Sequence, residues 1–140
     1  MLTLVYVSSA TELLTEHELL ELLRHSRRNN AELGITGLLL HIGGNFMQAL
    51  EGPDEAVEAL YNRIGADPRH RQVRTILRMA SAHRMFSDWN MGFQEAASLP
   101  PEVQGQVSSF IDDAQHSGGR AADQVSPVLM LLRGFARTMR

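Results

Sequence analysis

The sequence predicts an α+β fold: a ferredoxin-like β-α-β-β-α-β unit with a fifth strand, its mixed sheet carrying two helices on one face, followed by a C-terminal helix pair. Three observations predict it. Four short segments read as strands, at 2–8, 38–42, 46–51 and 73–83, with side chains alternating clearly between two faces in the first and third. Two amphipathic stretches with helix-starting signals lie between the first and second segments and between the third and fourth. A Gly43-Gly44 pair turns the second segment back into the third as a hairpin.

In Leu2–Ser8, Leu2, Leu4 and Tyr6 alternate against Thr3, Val5 and Val7. Thr15 then opens a helix as N-cap, with Glu18 three residues later completing a capping box. Leu19, Leu20, Leu22 and Leu23 form its apolar stripe, and it is expected to end near Asn29. Gly34–Gly37 turns the chain into the strand Leu38–Ile42, and the hairpin returns as Phe46–Glu51. Pro53 in the first turn, with Asp54 and Glu55 at the positive end of the dipole, announces the second helix. Its buried face is Ala56, Val57, Leu60 and Ile64, and Gly65 is expected to close it. Val73–His83 is the fourth strand and Trp89–Phe93 a short fifth.

The last forty residues change character. Pro100-Pro101 opens a helix with Val103, Val107, Phe110 and Ile111 in register, and His116–Gly119 breaks it. Ser126-Pro127 starts another, carrying Val128, Leu129, Leu131, Leu132 and Phe135. Such a pair most simply covers the second face of the sheet, and it equally suits a partner or a second copy. The expected division is 1–97 for the α+β unit and 98–140 for the helical extension.

A right-handed split β-α-β places the third strand between the first and second. Tyr6 and Gln48 then lie on adjacent strands and both face the two helices. Gln48 shares the direction of Phe46 and Leu50, so an amide looks into a core, where it costs a few kcal/mol unless hydrogen-bonded. The floor of a groove between the helices thus carries a phenol beside an amide.

The composition is that of a globular protein, 44% hydrophobic and 21% charged. A net charge of -3 gives no reason to expect nucleic acid, although Arg24, Arg27 and Arg28 form a local basic patch. With no cysteine, disulfides, thiolate chemistry and sulfur-ligated zinc are excluded. The strand that begins beside Met1 leaves no room for a signal peptide, and no apolar run approaches the roughly 20 residues of a membrane span. A soluble, cytoplasmic protein is expected. His17, His25, His41, His70, His83 and His116 have no metal-binding spacing, so no metal is expected. Phosphate loops, nucleophile elbows and acid pairs are lacking, which argues against a conventional enzyme.

Each polar feature has two readings. Tyr6 with Gln48 is either a cross-strand bond satisfying two core groups or a site for a polar, planar ligand. Asn29-Asn30 is either a helix end or a pair of amides at the groove rim. Asp67-Pro68-Arg69-His70 is a solvated turn, or the supplier of a cation and an imidazole to the opposite rim. Trp89 and Met91 are by default core residues.

Six motifs stand in order along the chain: L-V-Y-V-S-S at 4–9, R-N-N at 28–30, G-I-T-G-L-L at 34–39, F-M-Q-A-L-E-G at 46–52, D-P-R-H at 67–70 and W-N-M-G-F at 89–93. Any one is weak; together they are specific, and over residues 2–95 the chain resembles the BLUF family of blue-light sensors that use FAD. The resemblance implies that Tyr6 is the light-active tyrosine and Gln48 the switching glutamine. It implies that Asn30, with Asn29 and Ser26 beside it, holds the polar edge of the isoalloxazine ring. Leu22 and Ile64 fall where aliphatic side chains sandwich that ring, Leu22 standing where isoleucine is the usual residue. Arg69 and His70, with neighbouring Asp67, match flavin contacts on the second-helix side. Trp89 and Met91 match the fifth-strand pair tied to signalling.

In the family scheme an electron and a proton leave Tyr6 and return, and Gln48 ends rotated or tautomerised with a new bond to the flavin carbonyl, shifting absorption to the red. The resemblance is to the short, single-domain type. It implies a non-enzymatic sensor acting on a separate protein, such as a cyclic-di-nucleotide enzyme or a transcription regulator, and self-associating as a homo-oligomer. Two rival readings are a light-independent ferredoxin-like module binding another small ligand, which would be colourless and tolerate Tyr6→Phe, and a flavoenzyme, for which the sequence offers no substrate channel.

Overall fold

The computed structural model describes residues 1–12, 14–87, 90–95, 99–116 and 129–134, with side chains in the third helix described as far as Asp112. The elements run β1 (Leu2–Ala10), α1 (Glu16–Leu33), β2 (Thr36–Ile42), β3 (Asn45–Gly52), α2 (Asp54–Ala66), β4 (His70–Ala80), β5 (Gly92–Glu95) and α3 (Pro101–His116). The sheet order is β4-β1-β3-β2-β5. β3 lies between β1 and β2 as the crossover rule requires, and β5 joins β2 in parallel while the other pairings are antiparallel.

Local chemistry explains most boundaries. The capping box is complete: Thr15 Oγ1 accepts from the Glu18 amide, and the Glu18 carboxylate accepts from the Thr15 amide. Gly43 and Gly44 both take positive φ, 53° and 82°, as a tight hairpin turn demands. Other boundaries differ from expectation. α1 runs on to Leu33, because Gly34, in the left-handed region at φ 71°, is the residue able to cap it. Asn29 and Asn30 are therefore helix-interior. Pro53 is the N-cap of α2 rather than part of its first turn, and Gly65 does not end that helix; it stops one residue later, where Asp67 turns extended. β4 begins at His70, not Val73: an irregularity in its pairing with β1, with Gln72 at φ 53°, re-aims its first residues. β5 is shifted to 92–95, and Trp89 lies outside the described residues.

Every residue of β1 is buried, so both faces of the sheet are covered. On one face Leu2, Leu4, Tyr6, Phe46 and Leu50 pack with Leu19 and Leu23 of α1 and Val57 of α2. On the other, Val5, Val7, Met47, Ala49 and Leu77 pack with Val107, Phe110 and Ile111 of α3 and with Leu132. Residues 129–134 are helical and Leu132 is fully buried, whereas the expected helix start at Ser126-Pro127 lies outside the described residues. Leu20, expected in the α1 stripe, is 55% exposed.

Candidate functional site

Between α1 and α2, above β1 and β3, lies a pocket of about 520 Å³, within the size range of small-molecule sites. Tyr6 and Gln48 are directly paired across β1 and β3 and form its floor. α1 contributes Leu22, Ser26, Asn29 and Asn30, and α2 contributes Ile64. Asp67, Arg69 and His70 close the far rim. All ten residues singled out for binding thus line one pocket. The helix periodicity explains it: positions 18, 22, 25, 26 and 29 share one face of α1, and 60, 63, 64 and 67 share one face at the end of α2.

The floor is a chain of hydrogen bonds. Tyr6 donates its hydroxyl proton to Gln48 Oε1. Gln48 Nε2 donates to Met91 Sδ at 3.2 Å. This orientation is the one that satisfies both neighbours, since a thioether sulfur only accepts and the phenol here donates. Tyr6 is 1% exposed and Gln48 6%. Burial, with Tyr61 second, pushes the Tyr6 phenol far above its ordinary pKa, so it stays protonated. The two tyrosine rings lie 5.4 Å apart.

Asn30 is the most telling wall residue. It is 1% exposed and its Nδ2 donates to the carbonyl of Asn90 at 2.9 Å. Its Oδ1 and second N–H have no protein partner among the described residues. A buried amide in that state calls for a ligand offering both a donor and an acceptor. The polar edge of an isoalloxazine ring offers both, and the aliphatic Leu22 and Ile64 on facing helices suit its faces, so the residues present fit a flavin.

At the rim, Arg69 pairs with Asp67 through Nε and through Nη2 at 2.6 Å. That bond holds the Asp67 carboxyl down at about 2. His70 Nδ1 and Ser8 Oγ share a hydrogen bond of 3.1 Å, and the ring meets Phe46 edge-on at 5.7 Å. Burial lowers the His70 pKa despite the opposing pull of Asp67, so the neutral imidazole faces the pocket at neutral pH.

Sequence reasoning missed Leu39 and Phe46 in the floor and His17, His25 and Arg63 at the mouth. The strand and helix periods already used for their neighbours would have found them. It also missed Arg27, whose Nε donates to the Met91 carbonyl at 2.9 Å, a contact no local pattern signals. Among the described residues, no cluster of acidic or histidine side chains could hold a metal, and no helix is long and apolar enough to cross a membrane.

Comparison with known proteins agrees with this geometry. Photoactivated adenylate cyclase subunit beta of Euglena gracilis is 42% identical over 111 residues, which make up 77% of this chain and 13% of that protein. The chain therefore spans only a small part of the curated relatives it matches. The dark-state structure of the BLUF protein BlrB superposes with a TM-score of 0.74 at 29% identity, covering 98% of this chain and 96% of that one. Klebsiella pneumoniae BlrP1, solved with FMN and cyclic diGMP, gives a TM-score of 0.69 at 32% identity, over 99% of this chain and 35% of that one. The model of the family described as sensors of blue-light using FAD matches residues 1–92. This chain belongs to that family, BLUF.

Proposed function

We propose that the chain is a non-enzymatic photoreceptor that binds FAD non-covalently between α1 and α2 and registers blue light through Gln48. One observation carries the reading: the unbroken Tyr6–Gln48–Met91 chain across the floor of a pocket whose buried amide, Asn30, keeps atoms unpaired among the described residues. Asn30, with Asn29 and Ser26, would hold the polar edge of the ring, Leu22 and Ile64 its faces, and Asp67, Arg69 and His70 its second-helix side. When bound, the flavin supplies blue absorption and, once excited, an acceptor for one electron and one proton.

Tyr6 is suited to give both. Its phenol is protonated, desolvated and already hydrogen-bonded toward Gln48. Gln48 can register the event because its amide has a donor end and an acceptor end of nearly equal shape. Rotation or tautomerisation reverses what each neighbour meets. After rotation an N–H faces the Tyr6 oxygen and the carbonyl oxygen faces Met91 Sδ, which has no proton to give. On rotation the Gln48–Met91 bond is the contact the switch breaks, and Met91, with Trp89 two residues before it in the sequence, is the first part of the chain to register it.

Residues 1–97 make up the sensor in this reading and 98–140 the route to a separate output protein, a cyclic-di-nucleotide enzyme or a transcription regulator. Its support is the position of α3 against the sheet face opposite the pocket, and the company of a photoactivated cyclase and a structure solved with cyclic diGMP. The ring contacts serve FAD and FMN alike, and BlrP1 was solved with FMN, so extraction and mass analysis identifies the nucleotide.

The test is illumination of FAD-reconstituted wild type and Tyr6→Phe side by side. Wild type is expected to shift to the red and relax in darkness, while Tyr6→Phe stays yellow and unshifted. A colourless wild type that takes up no FAD, or a Tyr6→Phe protein that shifts normally, overturns the proposal.

A further inference from the structure

Glu51 is fully buried, three residues beyond Gln48 on β3 and on the opposite face of the sheet. A carboxyl in such a place needs several donors to offset its desolvation. It has them. Glu51 Oε1 accepts from Thr36 Oγ1 at 3.0 Å and from the Phe86 amide at 2.6 Å, and Oε2 accepts from the Met85 amide at 2.8 Å. Arg84 extends the cluster. One guanidinium nitrogen donates to Thr36 Oγ1 at 2.9 Å and to the Glu51 carbonyl at 3.2 Å, and the other donates to the Gly34 carbonyl at 2.7 Å. Residues 84–86 are thereby fixed to the end of β3 and to the turn entering β2.

The same connection is fixed again at its other end. Asn30 donates to the carbonyl of Asn90, and Arg27 to the carbonyl of Met91. The residues beside the two clamps lie on opposite faces of the sheet. Phe86 is buried with Val107, Phe110 and Ile111 of α3, and Met91 is buried on the pocket face against Gln48.

We propose that Glu51 is a positioning residue for the light switch: its carboxyl sets the connection between β4 and β5 so that Met91 Sδ meets Gln48 on one face while Phe86 is seated under α3 on the other. The proposal rests on the reading of Gln48 as the switch. It predicts that loosening Glu51 acts on Gln48 through Met91 and not through general loss of structure.

Glu51→Gln tests it with little change of shape. The carboxyl accepts three hydrogen bonds, whereas a glutamine turns one oxygen into an N–H donor facing the Met85 amide or the cluster at Oε1. Two readouts are taken on the full chain, with a thermal melt to verify cooperative folding. The first is the ¹³C-methyl resonance of Met91 in the dark, with and without FAD, assigned by its loss in Met91→Leu. The second is the rate of dark recovery after a blue flash in wild type, Glu51→Gln, Met91→Leu and the double variant. Glu51→Gln is expected to move the Met91 resonance and to change recovery at least about twofold, the lower range for coupled neighbours. In the Met91→Leu background it is expected to change recovery no further.

An unmoved Met91 resonance, or rate effects that simply multiply in the double variant, overturns the proposal. If Glu51→Gln does not melt cooperatively, Arg84→Lys replaces it with the same expectations, since lysine cannot span three acceptors with a fork. A wild type that binds FAD but shows no red shift removes the switch reading; the Met91 resonance then decides alone whether Glu51 positions that side chain.

Discussion

Replacing Gln48 by leucine deletes the amide while keeping most of its volume. The Tyr6 hydroxyl, in a side chain 1% exposed, loses its acceptor, and a buried hydroxyl left unpaired costs about 1–3 kcal/mol. Met91 Sδ loses a donor, a small loss for so weak an acceptor. In the other direction, the leucine no longer requires the desolvation of an amide that is 6% exposed. The balance is a destabilisation of about 1 kcal/mol, or a Tm lowered by about 3 °C for a domain of this size. That is minor beside a typical stability of about 5–15 kcal/mol, so the variant folds. It also retains FAD, because Asn30, Leu22 and Ile64 are untouched. The light response is affected quite differently. No atom at position 48 can receive the Tyr6 proton or exchange a donor for an acceptor, so the red shift disappears. The assay is a light-minus-dark spectrum of FAD-reconstituted Gln48→Leu beside wild type, with a thermal melt of each. A normal red shift in the variant would refute the reasoning.

Other perturbations test other parts of the account. A Cβ at Gly37 would overlap the Ala49 carbonyl oxygen and lie 3.4 Å from Met91 Cε, whereas nothing lies within 4 Å of one at Gly65. Gly37→Ala is expected to destabilise by about 2 kcal/mol, and Gly65→Ala to stabilise by about 0.5 kcal/mol; urea melts showing the same sign for both would contradict the packing described. His70 has a folded pKa below its unfolded value, so its contribution to stability is complete above pH ~6.5 and is lost as pH falls through the folded value. Wild type should therefore lose more stability between pH 7 and 5 than His70→Gln does, as compared by urea melts; equal losses would remove His70 from that window. Leu132→Ala empties a fully buried site beneath the sheet and should cost about 2–5 kcal/mol. A change in Tm near zero would mean that residues 129–134 add nothing to the core.

β1 and β3 were legible because their alternation assigns Tyr6 and Gln48 to one face from the sequence itself. The start of α1 was equally legible in Thr15 and Glu18, whose reciprocal bonds are local. Its end was not. Asn29-Asn30 has the composition of a helix terminus, yet the Asn30 side chain is engaged by the Asn90 carbonyl, 60 residues away, and only Gly34 releases the chain. The start of β4 was hidden by the left-handed Gln72, a conformation that residue type does not advertise. Glu51 carries the clearest lesson. It has the same parity as Met47 and Ala49, so it points at the second face by the very argument that placed Gln48 on the first. Its burial follows only once that face is known to be covered by α3, which depends on contacts far apart in the sequence. The groove itself was legible, because the right-handed crossover puts Tyr6 and Gln48 between the two helices with Asn29-Asn30 and Asp67–His70 at its rims; the contact of Arg27 with the Met91 carbonyl, 64 residues away, was not.

The measurement that tests the central claim most directly is the visible absorption spectrum of the FAD-loaded wild-type chain before and after a blue flash. A flavin spectrum that moves to the red and returns in darkness is expected, since Gln48 must change the hydrogen bond it offers. A yellow protein whose spectrum is the same before and after the flash would contradict it, leaving a flavin-binding pocket in which the bond between Tyr6 and Gln48 is only structural.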